Sequence, residues 1–300
     1  MGSSSWDSKS YSSYKSSVSS KSTRDIFRST KIHEDLDPSK FEFRESRDSD
    51  VNPNSTPILV GADVTGSMGF LATQIIKESL GVIVEEIIKR KPISDPHILL
   101  AAIGDMEWDQ APLQTTQFEA DTCIIEQIEK FYIEQGGGAN NGESYPALWW
   151  FAQNKTQCDS IIKRNRKGYI FTIGDERPLN IMSKVAIQGF LGGKVQENSS
   201  IDELLNEVQQ SWNIFHLITP TNATRRQSAD EAWKKLLGQN AIIVEDHTKL
   251  GEIIVSIMQV NEGEDVDSVI DSWDSSTSLA VQKSVGDLAP SMNKTEIIEI

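Results

Sequence analysis

Short, largely apolar runs alternate with longer segments of helical spacing through the middle of this chain of 300 residues. The apolar runs lie at 58–62, 97–104, 168–173, 213–218 and 241–244. The segments of helical spacing lie at 70–90, 124–133, 146–152, 201–210, 228–237 and 249–260. Strands that are apolar on both sides belong to sheets covered on both faces, and strands that alternate with helices favour parallel pairing. The sequence therefore predicts one α/β domain over 56–262, a doubly wound, mostly parallel sheet flanked by helices on both faces.

The two ends of the chain lack this alternation. Residues 1–24 are rich in Ser and residues 25–55 are charged, so neither stretch offers an apolar face for a core. We therefore predict a disordered N-terminal segment over 1–55. Residues 263–300 are acidic, but some apolar residues recur there at helical spacing, which predicts a partly helical C-terminal extension.

The composition argues against several classes of function. A formal net charge of −15 disfavours nucleic acid as a partner, because binding to phosphates needs clustered Lys and Arg. No apolar run approaches the roughly 20 residues that cross a bilayer, and no apolar secretory signal is evident, so we expect a soluble cytoplasmic protein without a membrane partner. The two cysteines and the four histidines are too widely spaced to predict a zinc site.

The most informative motif follows the first apolar run. Residues 63–67 read D-x-T-x-S, so Asp63, Thr65 and Ser67 stand between the first strand and the first long helix. Ligands bind at this position in open α/β sheets, and oxygen donors of this kind suit a hard cation, Mg²⁺ above all, or Mn²⁺ or Ca²⁺. Asp, Thr and Ser also cap ordinary helices, so the motif is weak evidence by itself.

Two later segments strengthen the prediction of a cation site. A Gly-rich loop at 136–144 offers the side-chain oxygen of Asn140 or Asn141, and Asp175 directly follows the run at 168–173. Because parallel strands end at the same edge of a sheet, these side chains are expected to converge on one ion with those of the first motif.

Other polar residues of the same loops are expected at the rim of the site. Asp105 follows the run at 97–104, Glu143 and Ser144 end the Gly-rich loop, and Glu176 follows Asp175. We predict that these four residues contact a partner.

These motifs resemble the metal-ion-dependent adhesion site of the von Willebrand factor A family over roughly residues 57–260. That site combines D-x-S-x-S, a distant Thr or Asp, and a later Asp. The resemblance implies a Rossmann-like fold in which hydroxyls bind the cation directly, carboxylates often act through water, and one open position takes an acidic residue of a partner. The residues that would carry these roles are Asp63, Thr65, Ser67, Asn140 or Asn141, and Asp175.

The function that follows is a non-enzymatic, divalent-cation-dependent protein–protein interaction module. The resemblance also points to an adaptor within a larger assembly, such as those in which this domain type partners an ATPase. The chain has neither the phosphate-binding loop of an ATPase nor the serine elbow of an acyl hydrolase.

Two alternatives remain open on the sequence alone. A Mg²⁺-dependent phosphotransferase or phosphohydrolase would use Asp63 as the nucleophile and Asp175 to hold the metal. Such chemistry also needs a positioned Lys or Arg near the phosphate, and the motif segments offer only Arg177. A structural protein would use the first motif as a capped turn and its tails for assembly.

Overall fold

A six-stranded sheet forms the centre of the molecule. The computed structural model describes residues 6, 16, 21–65, 69–133, 142–219 and 223–290. Within these parts of the chain the strands are β1 (Arg44–Ser46), β2 (Thr56–Asp63), β3 (Pro96–Ile103), β4 (Leu113–Thr115), β5 (Thr156–Cys158), β6 (Gly168–Gly174), β7 (Ile181–Met182), β8 (Ser199–Ser200), β9 (Trp212–Ile218) and β10 (Ala241–Ile243). The central sheet has the order β10-β9-β6-β2-β3-β4, in which every pair is parallel except β3 with β4.

Helices cover both faces of this sheet. In the described residues they are α1 (Thr23–Ile26), α2 (Gly69–Gln74), α3 (Leu80–Arg90), α4 (Cys123–Ile128), α5 (Tyr145–Asn154), α6 (Asp159–Arg164), α7 (Lys184–Phe190), α8 (Ile201–Val208), α9 (Ala223–Leu237), α10 (Leu250–Asn261), α11 (Val266–Asp271) and α12 (Ser275–Val285). A π-helical turn at Ile75–Ser79 joins α2 to α3.

The period-two alternation of strand side chains divides the core into two layers. Ile58, Val60 and Ala62 of β2 face a core that includes α3, α10 and α12. Leu59, the residue between two of them, faces a second core built with α5, α8 and α9. The predicted class, a mostly parallel α/β sheet flanked by helices, is therefore confirmed.

Residues 21–55 differ from the disorder predicted for 1–55. Ile26, Phe27 and Leu36 are buried in one of the two cores. Further along, β1 pairs in parallel with β5 in a separate two-stranded sheet. The low apolar content of this segment misled the prediction, because a few buried side chains and one strand pairing are enough to fix it. Residues 1–20, apart from 6 and 16, lie outside the described part of the chain.

Two buried cations also hold this N-terminal segment in place. The ammonium group of Lys155 donates hydrogen bonds to the carbonyl oxygens of Pro38 at 2.5 Å and Phe41 at 2.6 Å. The guanidinium group of Arg44 donates to the carbonyl oxygen of Thr115 at 3.1 Å and lies 3.5 Å from the centre of the Phe41 ring. These two charged side chains thus tie the segment to the domain.

The C-terminal extension contains two short helices that pack on the domain. Apolar residues of α11 and α12 are buried in the same core as α10. The Arg90 guanidinium lies 3.5 Å from the centre of the Trp273 ring, which joins α3 to the turn between α11 and α12. Residues 291–300 are outside the described part of the chain. No helix in the described part is long and apolar enough to cross a membrane.

The role of Lys155 can be measured. Lys155→Ala leaves the carbonyl groups of Pro38 and Phe41 without their charged donor, so we expect the free energy of unfolding to fall by about 1–3 kcal/mol. Lys194 is exposed, and Lys194→Ala is expected to change it by less than about 0.5 kcal/mol. Urea unfolding followed by circular dichroism compares the two variants, and equal midpoints would contradict this role.

Candidate functional site

The order of the strands places three loops side by side at one edge of the sheet. β2 pairs with β3 on one side and with β6 on the other, so the chain changes direction across the sheet at β2. In the register, Asp63 is opposite Ile103 of β3, and Ala62 is opposite Ile173 of β6. The loops that follow these three strands therefore share the topological switch point, where open α/β sheets bind their ligands.

Asp63 and Thr65 form a compact turn at the end of β2. Asp63 is the last residue of this strand, and both side chains are buried. The Asp63 Oδ1 atom accepts hydrogen bonds from the backbone N–H of Thr65 at 2.8 Å and from the Thr65 hydroxyl at 2.7 Å. A carboxylate and a hydroxyl are thus presented together, as the D-x-T-x-S motif predicts.

Glu143 reaches the same turn from the segment that precedes α5. Its Oε1 atom lies 3.1 Å from Thr65 Oγ1, and its Oε2 atom has no hydrogen-bond partner among the described residues although the side chain is only 7% exposed. The backbone N–H of Glu143 donates to the carbonyl of Arg177 at 2.9 Å, and its carbonyl accepts from the N–H of Leu179 at 3.0 Å. The segment after β6 therefore fixes the position of Glu143.

The loop after β3 adds two more buried carboxyl groups. Asp105 Oδ1 accepts from the N–H of Glu107 at 2.7 Å, and Asp109 Oδ2 accepts from the N–H of Asp105 at 2.8 Å. The Ser144 hydroxyl oxygen accepts from the N–H of Met106 at 2.8 Å. Ser144 therefore holds this acidic loop against the start of α5.

Tyr145 supports Asp63 from behind. Its hydroxyl donates to Asp63 Oδ2 at 3.2 Å, and its ring packs edge-on against His216 at 4.8 Å and Trp233 at 5.5 Å between centroids. A Cβ atom at Gly174 would lie 1.9 Å from the Tyr145 hydroxyl oxygen. The last residue of β6 is therefore a glycine because the tyrosine occupies the space of a side chain.

Burial and mutual repulsion control the charge of this cluster. Burial raises the pKa of Asp63, and the nearby charge of Asp175 raises it further. Burial also raises the pKa of Glu143, and the charges of Asp63 and Asp105 add to the effect. Among the described residues, no cationic side chain is a leading influence on either carboxyl group. The cluster therefore favours the binding of protons or of a cation.

The predicted site residues fall into three groups. Asp63, Thr65 and Glu143 are in hydrogen-bond contact, and Asp175 follows β6 close enough to Asp63 to raise its pKa. Asp105 and Ser144 are buried in the adjoining loops, whereas Glu176 is half-buried and its carbonyl accepts from the Trp233 indole N–H at 3.0 Å. Ser67, Asn140 and Asn141 lie outside the described residues.

The sequence prediction missed two residues of this site. Tyr145 was not predicted, although the Gly before Asp175 at a strand end is a signal that another group approaches closely. Asp109 was not among the four residues expected at the rim of the site. Glu143, which was predicted to contact a partner, has its carboxyl group against the Thr65 hydroxyl.

The donors that face one another are suitable for a hard cation. Carboxyl oxygens of Asp63 and Glu143 and the hydroxyl of Thr65 are all oxygen ligands, which Mg²⁺ and Ca²⁺ prefer. In the described residues, no three Asp, Glu, His or Cys side chains are grouped so that they could hold one ion. A cation here would therefore depend on hydroxyl, backbone or water oxygens as well as on carboxylates.

Comparisons with known proteins give little further information. No family model matches the sequence, and no curated protein matches it. Similar solved structures include a crystal structure of the pilus adhesin SpaC from Lactobacillus rhamnosus GG, which has 9% sequence identity, a TM-score of 0.47 and coverage of 72% of this chain and 32% of the adhesin. The open conformation of the same adhesin gives a TM-score of 0.38 at 9% identity, with 62% and 27% covered. The chain spans about a third of the adhesin, and a likeness this weak carries no argument.

The packing around Tyr145 can be tested through Gly174. Gly174→Ala forces the buried tyrosine off Asp63, because the rings of His216 and Trp233 close the space behind it, and we expect a loss of about 1–3 kcal/mol in the free energy of unfolding. The matched control is Gly189→Ala in α7, where a Cβ atom would meet nothing within 4 Å. The control is expected to be neutral or stabilising by about 0.5–1 kcal/mol. Guanidinium unfolding measures both, and an unchanged Gly174→Ala would contradict the close contact.

The raised pKa values also predict how stability changes with pH. The folded pKa values of Asp63 and Glu143 lie above the unfolded values near 4, so the folded state binds more protons than the unfolded state above that pH. Proton binding by these two carboxyl groups therefore stabilises the folded state. This stabilisation is fully present below the pKa of the unfolded state and is lost as pH rises through the pKa of the folded state. We expect the cation-free protein to lose stability as pH rises above about 4, and Glu143→Gln to flatten this slope. Urea unfolding in chelator at several pH values gives the slope, and identical slopes for the two proteins would contradict the assignment.

Proposed function

We propose that the chain is a divalent-cation-dependent protein–protein interaction module of the von Willebrand factor A type. Its sheet has the doubly wound, mostly parallel architecture that this family shares with other α/β proteins. The D-x-T-x-S motif follows β2 at the topological switch point, where such a module would hold its ion.

One observation carries the proposal. The Thr65 hydroxyl lies between two buried carboxyl groups, 2.7 Å from Asp63 and 3.1 Å from Glu143, and Glu143 keeps an oxygen atom without a partner among the described residues. Carboxylates this close repel each other and are poorly solvated, so a bound divalent cation would relieve an unfavourable charge. An ordinary capped turn does not need the second carboxyl group.

The residues proposed to hold the cation are Asp63, Thr65, Ser67 and Asp175, with Mg²⁺ as the first choice and Mn²⁺ or Ca²⁺ as the others. Glu143 is a further candidate beside Asn140 or Asn141, to which the resemblance assigns the middle ligand, because the Glu143 carboxyl group meets the Thr65 hydroxyl. Unlike Asn, a Glu brings charge, so affinity for a dication is expected to rise.

The proposed partner is a protein that offers an Asp or Glu to the open position of the ion. A cation held partly by neutral oxygens remains electrophilic, and a carboxylate entering a partly dry site binds it strongly. A role as an adaptor in an assembly with an ATPase is part of the same proposal and rests on the family resemblance.

The enzymatic alternative finds no supporting observation in the geometry. Phosphotransfer through Asp63 would need a Lys or Arg placed to stabilise the phosphate, and none contacts Asp63 among the described residues. All three described contacts of the Asp63 carboxyl group come instead from Thr65 and Tyr145.

Calorimetric titration of Mg²⁺ and Mn²⁺ into the chelator-treated chain tests the cation site. We expect one ion to bind per chain, and Asp63→Asn to abolish binding, because the substitution keeps the shape of the side chain but removes its charge. The bound ion should also raise the free energy of unfolding, by about 2.7 kcal/mol at a concentration 100 times Kd.

Asp267→Asn is the matched control, since Asp267 is exposed on α11, whose apolar residues pack in a different core from those of α5. It is expected to bind the ion as the unchanged chain does. If neither cation produces heat or stabilisation, the proposed function is wrong. If Asp63→Asn still binds one ion with the same affinity, the site lies elsewhere.

A further inference from the structure

The buried carboxyl groups of Asp63, Asp105, Asp109, Glu143 and Asp175 form an acidic edge of the sheet, and a groove of about 380 Å³ opens beside it. Its walls are the segment that follows β6, the start of α8 and one side of α9. Apolar residues form much of the lining, and three charged residues, Asn180 and Gly142 complete it. The apolar members are Pro178, Leu179, Ile201, Ala232 and Leu236.

The groove begins one residue away from Glu143. Gly142 lines it, and a Cβ atom at this glycine would lie 3.2 Å from the carbonyl oxygen of Arg177. The hydrogen bonds of the Glu143 backbone to Arg177 and Leu179 run along the same boundary. The groove therefore borders the segment that carries Glu143.

The net charge of the groove has the opposite sign to that of the whole chain. Arg177 and Lys235 carry positive charge and Asp202 negative charge, which leaves one net positive charge in a chain of net charge −15. Neither the Arg177 side chain nor the Lys235 side chain forms a hydrogen bond or an ion pair within the described part of the chain. Lys234, the neighbour of Lys235 on α9, is by contrast paired with Asp230 at 2.9 Å.

A strongly acidic chain repels the acidic partner that the proposed function requires. A local pair of unpaired cations next to the binding edge offsets this repulsion where the partner must approach. The apolar lining suits the methylene groups of a Glu side chain, and the two cations suit its carboxylate.

We propose that this groove binds a second acidic side chain of the same partner peptide, a Glu whose carboxylate lies between Arg177 and Lys235 while a first Asp or Glu binds the cation. This inference rests on the proposed function and adds to it the chemistry of the partner, a peptide segment with two acidic residues. Specificity would then come from the groove, because any carboxylate can bind a cation.

Fluorescence anisotropy with labelled synthetic peptides in Mg²⁺ or Mn²⁺ tests the proposal. One peptide has a single central Glu in a Gly, Ser and Leu background, and the others add a second Glu at each other position in turn. We expect at least one two-Glu peptide to bind roughly tenfold more tightly than the single-Glu peptide, as expected for a further hydrogen-bonded charge.

The double variant Arg177→Gln, Lys235→Gln is expected to bind the two-Glu and the single-Glu peptides with equal affinity, while it still binds the metal. Lys234→Gln, one residue away and already paired, should keep the gain. If no second Glu improves binding, or if the double variant keeps the improvement, the groove proposal is wrong.

Metal titration of the same samples separates this failure from failure of the proposed function. A chain that binds Mg²⁺ and the single-Glu peptide but gains nothing from a second Glu has the proposed function without the groove. A chain that binds no cation lacks the proposed function, and the groove proposal fails with it.

Discussion

The acidic edge of this protein depends on the parallel pairing of β2 between β3 and β6. Parallel strands all end on the same side of a sheet, so the loops that follow these three strands must meet. The hydrogen bonds of the sheet thereby hold together carboxyl groups that repel one another. The free energy of repulsion between these carboxyl groups is only a small part of the free energy by which the two cores stabilise the fold. The fold can therefore tolerate a locally unfavourable charge.

The segment from Glu143 to Tyr145 holds these three loops in fixed positions relative to one another. Glu143 contacts Thr65 after β2 and the backbone after β6, Ser144 holds the loop after β3, and Tyr145 supports Asp63. Three consecutive residues thus brace all three loops. Because the segment begins α5, which is buried against the sheet, movement at the edge is coupled to the packing of a core helix.

Local periodicity was enough to predict the architecture, and the order of motifs along the chain was enough to place Asp63, Thr65 and Asp175 at one edge. Contacts between distant segments were not predictable in this way. The buried ammonium group of Lys155 and the approach of Glu143 to Thr65 join residues more than 70 positions apart, with no periodic signal. The prediction from sparse apolar content was also wrong for residues 21–55, since buried apolar side chains, a strand pairing and the hydrogen bonds of Lys155 and Arg44 fix that segment.

The contact between Gly174 and Tyr145 has a consequence for the recognition of related chains. The tyrosine hydroxyl fills the space of a side chain at position 174, so the two positions can change only together. A chain with a larger residue at 174 must have a smaller one at 145, and its first aspartate then loses a hydrogen-bond donor. Covariation of these two positions would mark this form of the site more specifically than the short D-x-T-x-S string, which ordinary helix caps also produce.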